Sequence, residues 1–189
     1  MGGNPPVGVL ALQGDFAMHV QALERIGART VEVRTVRDLE RAERLIMPGG
    51  ESTTVSRLLA FEGLDVAILR RAERGMRIWG TCMGLILLAK RVTNRPVSPL
   101  GLLDVTVERN AYGRQLDSFE ANFEFRPTGE IIRGVFIRAP VIREAGPGVE
   151  VLAVHEDTPV AVRTKTLLGT TFHPELTSDP TIHAYFLGM

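Results

Sequence analysis

Cysteine is nearly absent from this 189-residue chain: Cys82 stands alone. A single thiol excludes an internal disulfide, so a reducing cytoplasm is the expected compartment. Net charge is absent as well. Twenty-two Lys and Arg balance twenty-two Asp and Glu, so no broad affinity for nucleic acid or membrane is expected. Long apolar runs are missing too. The run at 7–12 is far shorter than the roughly 20 residues of a membrane-spanning helix. Met1-Gly2-Gly3-Asn4-Pro5-Pro6 has no basic stretch followed by an apolar one, so no signal peptide is expected. Pro6 stands where a myristoylation pattern needs Ser or Thr. No internal repeat, low-complexity segment or linker is visible. The rest is globular in character, 44% hydrophobic and 23% charged. That composition predicts one domain, 1–189, able to bury a real core.

The first half alternates strand and helix signals. Val7-Gly8-Val9-Leu10-Ala11-Leu12 reads as a buried strand of a mostly parallel sheet. Asp15 is placed to cap a helix with Phe16, Val20, Leu23 and Ile26 on its apolar face, and Gly27 stops it. A strand at 30–34, a short polar segment and a strand at 44–47 follow. Pro48-Gly49-Gly50-Glu51-Ser52 breaks that strand, and Ser52 is expected to cap a helix to about Phe61. A further helix is expected at 64–74, then a short apolar strand at 76–79, and after Cys82 a helix at 85–90. This βαβαβ order predicts an α/β fold with a doubly wound, mostly parallel sheet, whose sites lie beyond the carboxyl ends of the strands. The second half has strand signals at 103–109, 119–125, 131–138, 150–155, 159–163 and 167–172. They read as added antiparallel strands, attached to or extending the parallel sheet. A last helix is expected at about 180–187.

Cys82 lies within Gly80-Thr81-Cys82-Met83-Gly84, between a strand signal and a helix signal. Gly-x-nucleophile-x-Gly in that setting is a nucleophile elbow, and the helix N-terminus behind it favours a thiolate. An isolated cysteine is more often an inert core residue; the elbow pattern reverses that reading. His173 ends a strand signal, and Pro174 holds it extended. Two residues apart in extended chain, His173 and Glu175 face the same side. Nucleophile, base and orienting acid are thereby available. His19, His155 and His183 read as structural or surface residues. The glycines of 48–52 suit either an ordinary capped turn or a loop presenting backbone N–H groups to a ligand. An oxyanion hole would draw on Met83 N–H and the Gly49-Gly50 segment.

Pro-Gly-Gly-Glu, Gly-x-Cys-x-Gly and His-Pro-Glu, in that order on an α/β chain, resemble the class I (triad) glutamine amidotransferases. Leu10-Ala11-Leu12-Gln13-Gly14-Asp15, Pro48-Gly49-Gly50-Glu51-Ser52-Thr53-Thr54, Arg109-Asn110-Ala111-Tyr112-Gly113-Arg114-Gln115, Phe136-Ile137-Arg138-Ala139-Pro140 and Phe172-His173-Pro174-Glu175-Leu176 are similar to the glutaminase subunits of pyridoxal 5′-phosphate synthase (the PdxT type). The likeness runs from about Val7 to Leu187. It implies a flavodoxin-like sheet and a triad of Cys82, His173 and Glu175. It places glutamine-binding positions on Gly50, Glu51, Ser52, Arg109, Ile137 and Arg138. Taken alone, Arg109 and Arg138 read as surface charges at strand ends. The family commonly has alanine after the nucleophile; here Met83 stands there. A backbone donor is indifferent to that side chain, but its bulk bears on the packing beneath the elbow or on a partner surface.

The implied chemistry is hydrolysis of L-glutamine through a glutamyl thioester, with no metal and no cofactor. Either Arg109 or Arg138 would pair with the substrate α-carboxylate. The domain consumes the chain, so the ammonia is expected to pass to a separate subunit, which the resemblance names as a PdxS-type synthase. The family's glutaminases stay silent until that partner docks. Amidotransferase subunits of the histidine or purine pathways, a cysteine peptidase or esterase, and a non-catalytic regulatory subunit are the competing readings.

Overall fold

A computed structural model describes residues 6–94, 97–109 and 118–189. In the first half, β1 (Val7–Leu10), α1 (Phe16–Arg25), β2 (Thr30–Val33), α2 (Val36–Glu40), β3 (Arg44–Met47), α3 (Ser52–Glu62), α4 (Leu64–Glu73), β4 (Arg77–Thr81) and α5 (Met83–Leu88) alternate. The second half holds β5 (Ala89–Thr93), β6 (Leu103–Glu108), β7 (Ser118–Phe125), β8 (Glu130–Ile137), β9 (Val141–Ala145), β10 (Glu150–His155), β11 (Thr158–Arg163), β12 (Leu167–Thr170), a 3₁₀ turn at Pro174–Leu176 and α6 (Thr181–Gly188).

The main sheet runs β10-β11-β12-β4-β3-β1-β2. Its β2, β1, β3, β4 and β12 are parallel, in the flavodoxin-like order 2-1-3-4-5. β11 and β10 extend it antiparallel. Strand alternation feeds a core on each face. Leu45 and Met47 join Leu10, Leu59, Ile68 and Leu85 on the side of α3, α4 and α5. Ile46 joins Val9, Leu23, Trp79, Phe136, Phe172 and Phe186 beneath α1, α6 and the β7–β8 hairpin.

Four local expectations are corrected. β12 is parallel, not antiparallel: all four of its residues are buried, as in a strand covered on both faces. The helix after Cys82 begins at Met83, earlier than expected. Ala89, at φ −58° and ψ 148°, turns the chain directly into β5, which pairs with β6 beside β9 in a separate three-stranded sheet. The polar segment after β2 is a helix, α2, held by a reciprocal capping box between Thr35 and Asp38. The fully buried residues of α1 are His19, Ala22 and Leu23; Phe16 and Val20 are only partly buried against the same core, and two residues absent from the apolar pattern, His19 and Ala22, share its centre.

Candidate active site

The loops after β1, β3, β4 and β12 meet at the carboxyl edge of the parallel strands. β4 passes into α5 through Cys82, at φ 49° and ψ −101°. That backbone is strained for a side-chain-bearing residue. It is held by the Cys82 N–H, which donates to the Thr170 carbonyl at 2.8 Å, and by Ile86 N–H, which donates to the Cys82 carbonyl at 3.3 Å. A Cβ on Gly84 would fall on the Met47 carbonyl oxygen of β3; only glycine lets the elbow sit this close to the sheet. Cys82 is 8% exposed, and its thiol faces the Ile137 carbonyl at 3.9 Å.

His173 follows β12 at φ −107° and ψ 86°, outside the extended region, and its N–H donates to the Val135 carbonyl of β8 at 2.8 Å. Glu175 does not lie further along an extended chain. Pro174 starts a 3₁₀ turn that folds the carboxylate back under the imidazole, 2.7 Å from Nδ1. Burial pushes the Glu175 carboxyl upward, but His19 and His173 together hold it below its ordinary range. An ionised carboxylate only accepts, so Nδ1 carries a proton, and Nε2 is left to exchange its own with Cys82. Burial would lower His173, yet the side chains of Cys82 and Glu175 raise it to about 10.

Gly49 presses on this ring, for a Cβ there would overlap His173 Cε1. The loop is fixed from β1, because Gln13 Oε1 accepts from Glu51 N–H at 2.8 Å. Glu51, not Ser52, caps α3: its carboxylate accepts from Thr53 N–H at 3.1 Å and Thr54 N–H at 2.7 Å. The Thr54 amide above all lowers its pKa to about 2. Ser52 is buried instead, and its Oγ has no partner. Arg109, expected as a surface charge on its own sequence signal, is only 9% exposed. Its Nη2 lies 3.5 Å from Glu51 Oε1, and its Nη1 is unpartnered. Ile137 turns its carbonyl to Cys82, whereas the Arg138 side chain is exposed on strained backbone at φ 43°. Met83 is 1% exposed and packed in the core on the α3–α5 side, so its bulk acts beneath the elbow. The segment 110–115, singled out in the sequence, lies outside the described residues.

His19 and His183 were not anticipated here. Both are fully buried, with His19 Nε2 3.2 Å from Glu175 Oε2. A signal exists: His19 is three and four residues before Ala22 and Leu23, on one helix face, but an apolar count skips it. His155 is half-buried against Phe119 and Phe136. Asp15 does not cap α1 with its side chain. With His173 and Glu175 it forms the one cluster, among the described residues, whose ligand atoms lie within 4.8 Å of one another.

Residues 9–189 match the model of the SNO glutamine amidotransferase family. The chain is 54% identical to the pyridoxal 5′-phosphate synthase subunit PdxT of Thermus thermophilus, over 96% of this chain and 95% of that protein. It is 52% identical to the protein of the same name from Roseiflexus castenholzii, over 97% and 99% of the two chains. A crystal structure described as a glutamine amidotransferase superposes with a TM-score of 0.92 at 50% identity, covering 96% of this chain and 97% of the other.

Proposed function

The chain belongs to the SNO glutamine amidotransferase family, and on that premise we propose that it is the glutaminase subunit of a pyridoxal 5′-phosphate synthase. It hydrolyses L-glutamine to L-glutamate and ammonia, and hands the ammonia to a PdxS-type synthase subunit in a hetero-oligomer. The observation that carries the chemistry is the strained elbow at Cys82 beside an imidazole whose Nδ1 is held 2.7 Å from Glu175. Identity of 54% with a PdxT relative over nearly the whole chain supports the pathway.

In the proposed reaction the Cys82 thiolate attacks the side-chain amide carbon of glutamine. Met83 N–H and the Gly49-Gly50 loop hold the resulting oxyanion. His173 gives a proton to the departing nitrogen, ammonia leaves, and a γ-glutamyl thioester remains. His173 then takes a proton from water as it attacks the thioester; glutamate leaves and the thiolate returns. Glu175 holds the imidazole in the required tautomer. Gly50, Glu51, Ser52, Arg109, Ile137 and Arg138 bind the substrate. Arg109 is the better partner for its α-carboxylate, since Arg109 Nη1 and Ser52 Oγ are buried polar atoms without partners, as groups awaiting a polar ligand would be. No step calls on a metal or cofactor. Cys82 at 8% exposure and a loop pressed on His173 suit a site opened by its partner. The functional unit is the single domain 1–189, working in the cytoplasm; no helix of the described residues is long and apolar enough to cross a membrane.

Glutamate release by the purified chain, alone and with a PdxS-type synthase, tests this reading. Strong stimulation by the synthase, abolished in Cys82→Ala, is the expected result. Turnover retained by Cys82→Ala, or turnover of peptides or esters in place of glutamine, would overturn it.

A further inference from the structure

Beneath Glu175 lies a row of buried groups for which the thioester chemistry has no use. His19 of α1 and His183 of α6 are both 0% exposed. His19 Nδ1 is 3.0 Å from His183 Nε2. His19 Nε2 is 3.3 Å from Thr81 Oγ1 and 3.2 Å from Glu175 Oε2. Trp79 meets both rings edge-on, 5.5 Å from His19 and 4.9 Å from His183. Burying two imidazoles is costly unless their N–H groups find acceptors.

The protons can be assigned. Burial above all lowers His183 to about 3, so it is neutral with a single N–H. Its Nδ1 has no partner. Placing the proton on Nε2 leaves no buried N–H without an acceptor, and His19 Nδ1 receives it. His19 then carries its own proton on Nε2, the nitrogen that faces Glu175 and Thr81. Glu175 Oε1 is taken by His173. Oε2 has no aligned hydrogen bond, and the protonated Nε2 of neutral His19 stands 3.2 Å from it. A carboxylate tethered by one oxygen can turn about its last bond; an N–H placed beside the other oxygen resists that turn.

We propose that His19 is a positioning residue for the triad: it holds Oε2 of Glu175 so that Oε1 stays on His173, and His183 locks the tautomer that lets it do so. This rests on the glutaminase reading of Cys82, His173 and Glu175. Partners that orient metal-ligating histidines in the same way change activity by about 10- to 100-fold when removed, and an effect of that order is expected here.

The test compares His19→Leu with His19→Gln in the complex with the synthase. Glutamine places an N–H near the Nε2 position of histidine; leucine places none. Thermal melting checks that each variant folds. His19→Leu is expected to lower kcat about tenfold or more with KM for glutamine within about twofold, and His19→Gln to recover most of the loss. Alkylation of Cys82 by iodoacetamide across pH reads the thiol–imidazole pair without glutamine. Besides Cys82, the titrating and charged groups around it are His173, Glu175, His19 and Asp15, with Arg25 acting on His183. The alkaline limb of that profile is expected to move to lower pH in His19→Leu, by about half a unit, and to stay in place in His19→Gln.

A folded His19→Leu with unchanged kcat and unchanged alkylation profile overturns the proposal. So does equal impairment in both variants, which would mark His19 as packing alone. If His19→Leu does not fold, His183→Leu replaces it, with a smaller shift of the same sign expected and no shift overturning the proposal. A wild-type complex that releases no glutamate while the alkylation shift persists would refute the glutaminase reading yet support the hold of His19 on the triad.

Discussion

A methyl group at Gly49 would overlap Cε1 of His173. Either the imidazole yields or the loop does, and both belong to the reacting geometry proposed above. Displacement of about 1 Å at such a centre costs on the order of 100-fold in rate. Gly49→Ala is therefore expected to lower kcat of the synthase-bound protein by about two orders of magnitude while leaving its circular dichroism spectrum unchanged. A variant with wild-type kcat would show that the loop is not held against the ring during turnover. At this scale the triad candidates were legible because their signals are local: small residues around Cys82, and a proline between His173 and Glu175. His19 was not, because its meaning depends on Thr81, His183 and Glu175, which lie 62, 164 and 156 positions away. Arg109 was misread on its own signal for a related reason, since a buried guanidinium and a surface one look alike in sequence.

The connection from β4 to α5 leaves no slack. Gly84 is in the first turn of α5, where a Cβ would fall on the Met47 carbonyl of β3. Gly84→Ala is expected to push α5 off the sheet and destabilise the fold by about 1–3 kcal/mol. For a chain of this size each kcal/mol corresponds to about 2–4 °C in melting temperature, so a calorimetric scan checks it. An unchanged melting temperature would mean that α5 relaxes without loss. Elements with strong periodicity, such as β3 and α4, were readable from sequence to within a residue or two. The direction of β12 was not, because a fully buried four-residue strand does not record in its sequence which neighbour it joins. The start of β5 was hidden by the apolar run of α5, which continues into Ala89 without a turn signal.

Two buried histidines give the whole molecule opposite pH dependences. His183 is lowered to about 3. Below its ordinary value of 6.5 the unfolded chain binds a proton that the folded chain refuses, so stability falls as pH drops from about 6.5 toward 3. His173 is raised to about 10. Its contribution is complete below about 6.5 and is lost as pH rises through about 10. Unfolding by denaturant across pH is expected to give greatest stability near neutrality. His183→Leu should flatten the acid limb and move the alkaline one only slightly, to lower pH. An acid limb as steep in His183→Leu as in wild type would assign it to carboxylates such as Glu175 instead.

By itself the sequence determined the fold class, the alternation of strands and helices in the first half and the identity of the triad candidates. Each of these is written in short-range patterns: apolar runs, helical spacing, and the small residues of a tight turn. Only the tertiary structure decided what stands behind the site. The histidine row, the burial of Arg109 and the contact between Gly49 and His173 are contacts between residues far apart in the chain. Burial and partnership are properties of the packed molecule, and a polar residue shows neither until its neighbours from other strands and helices are in place.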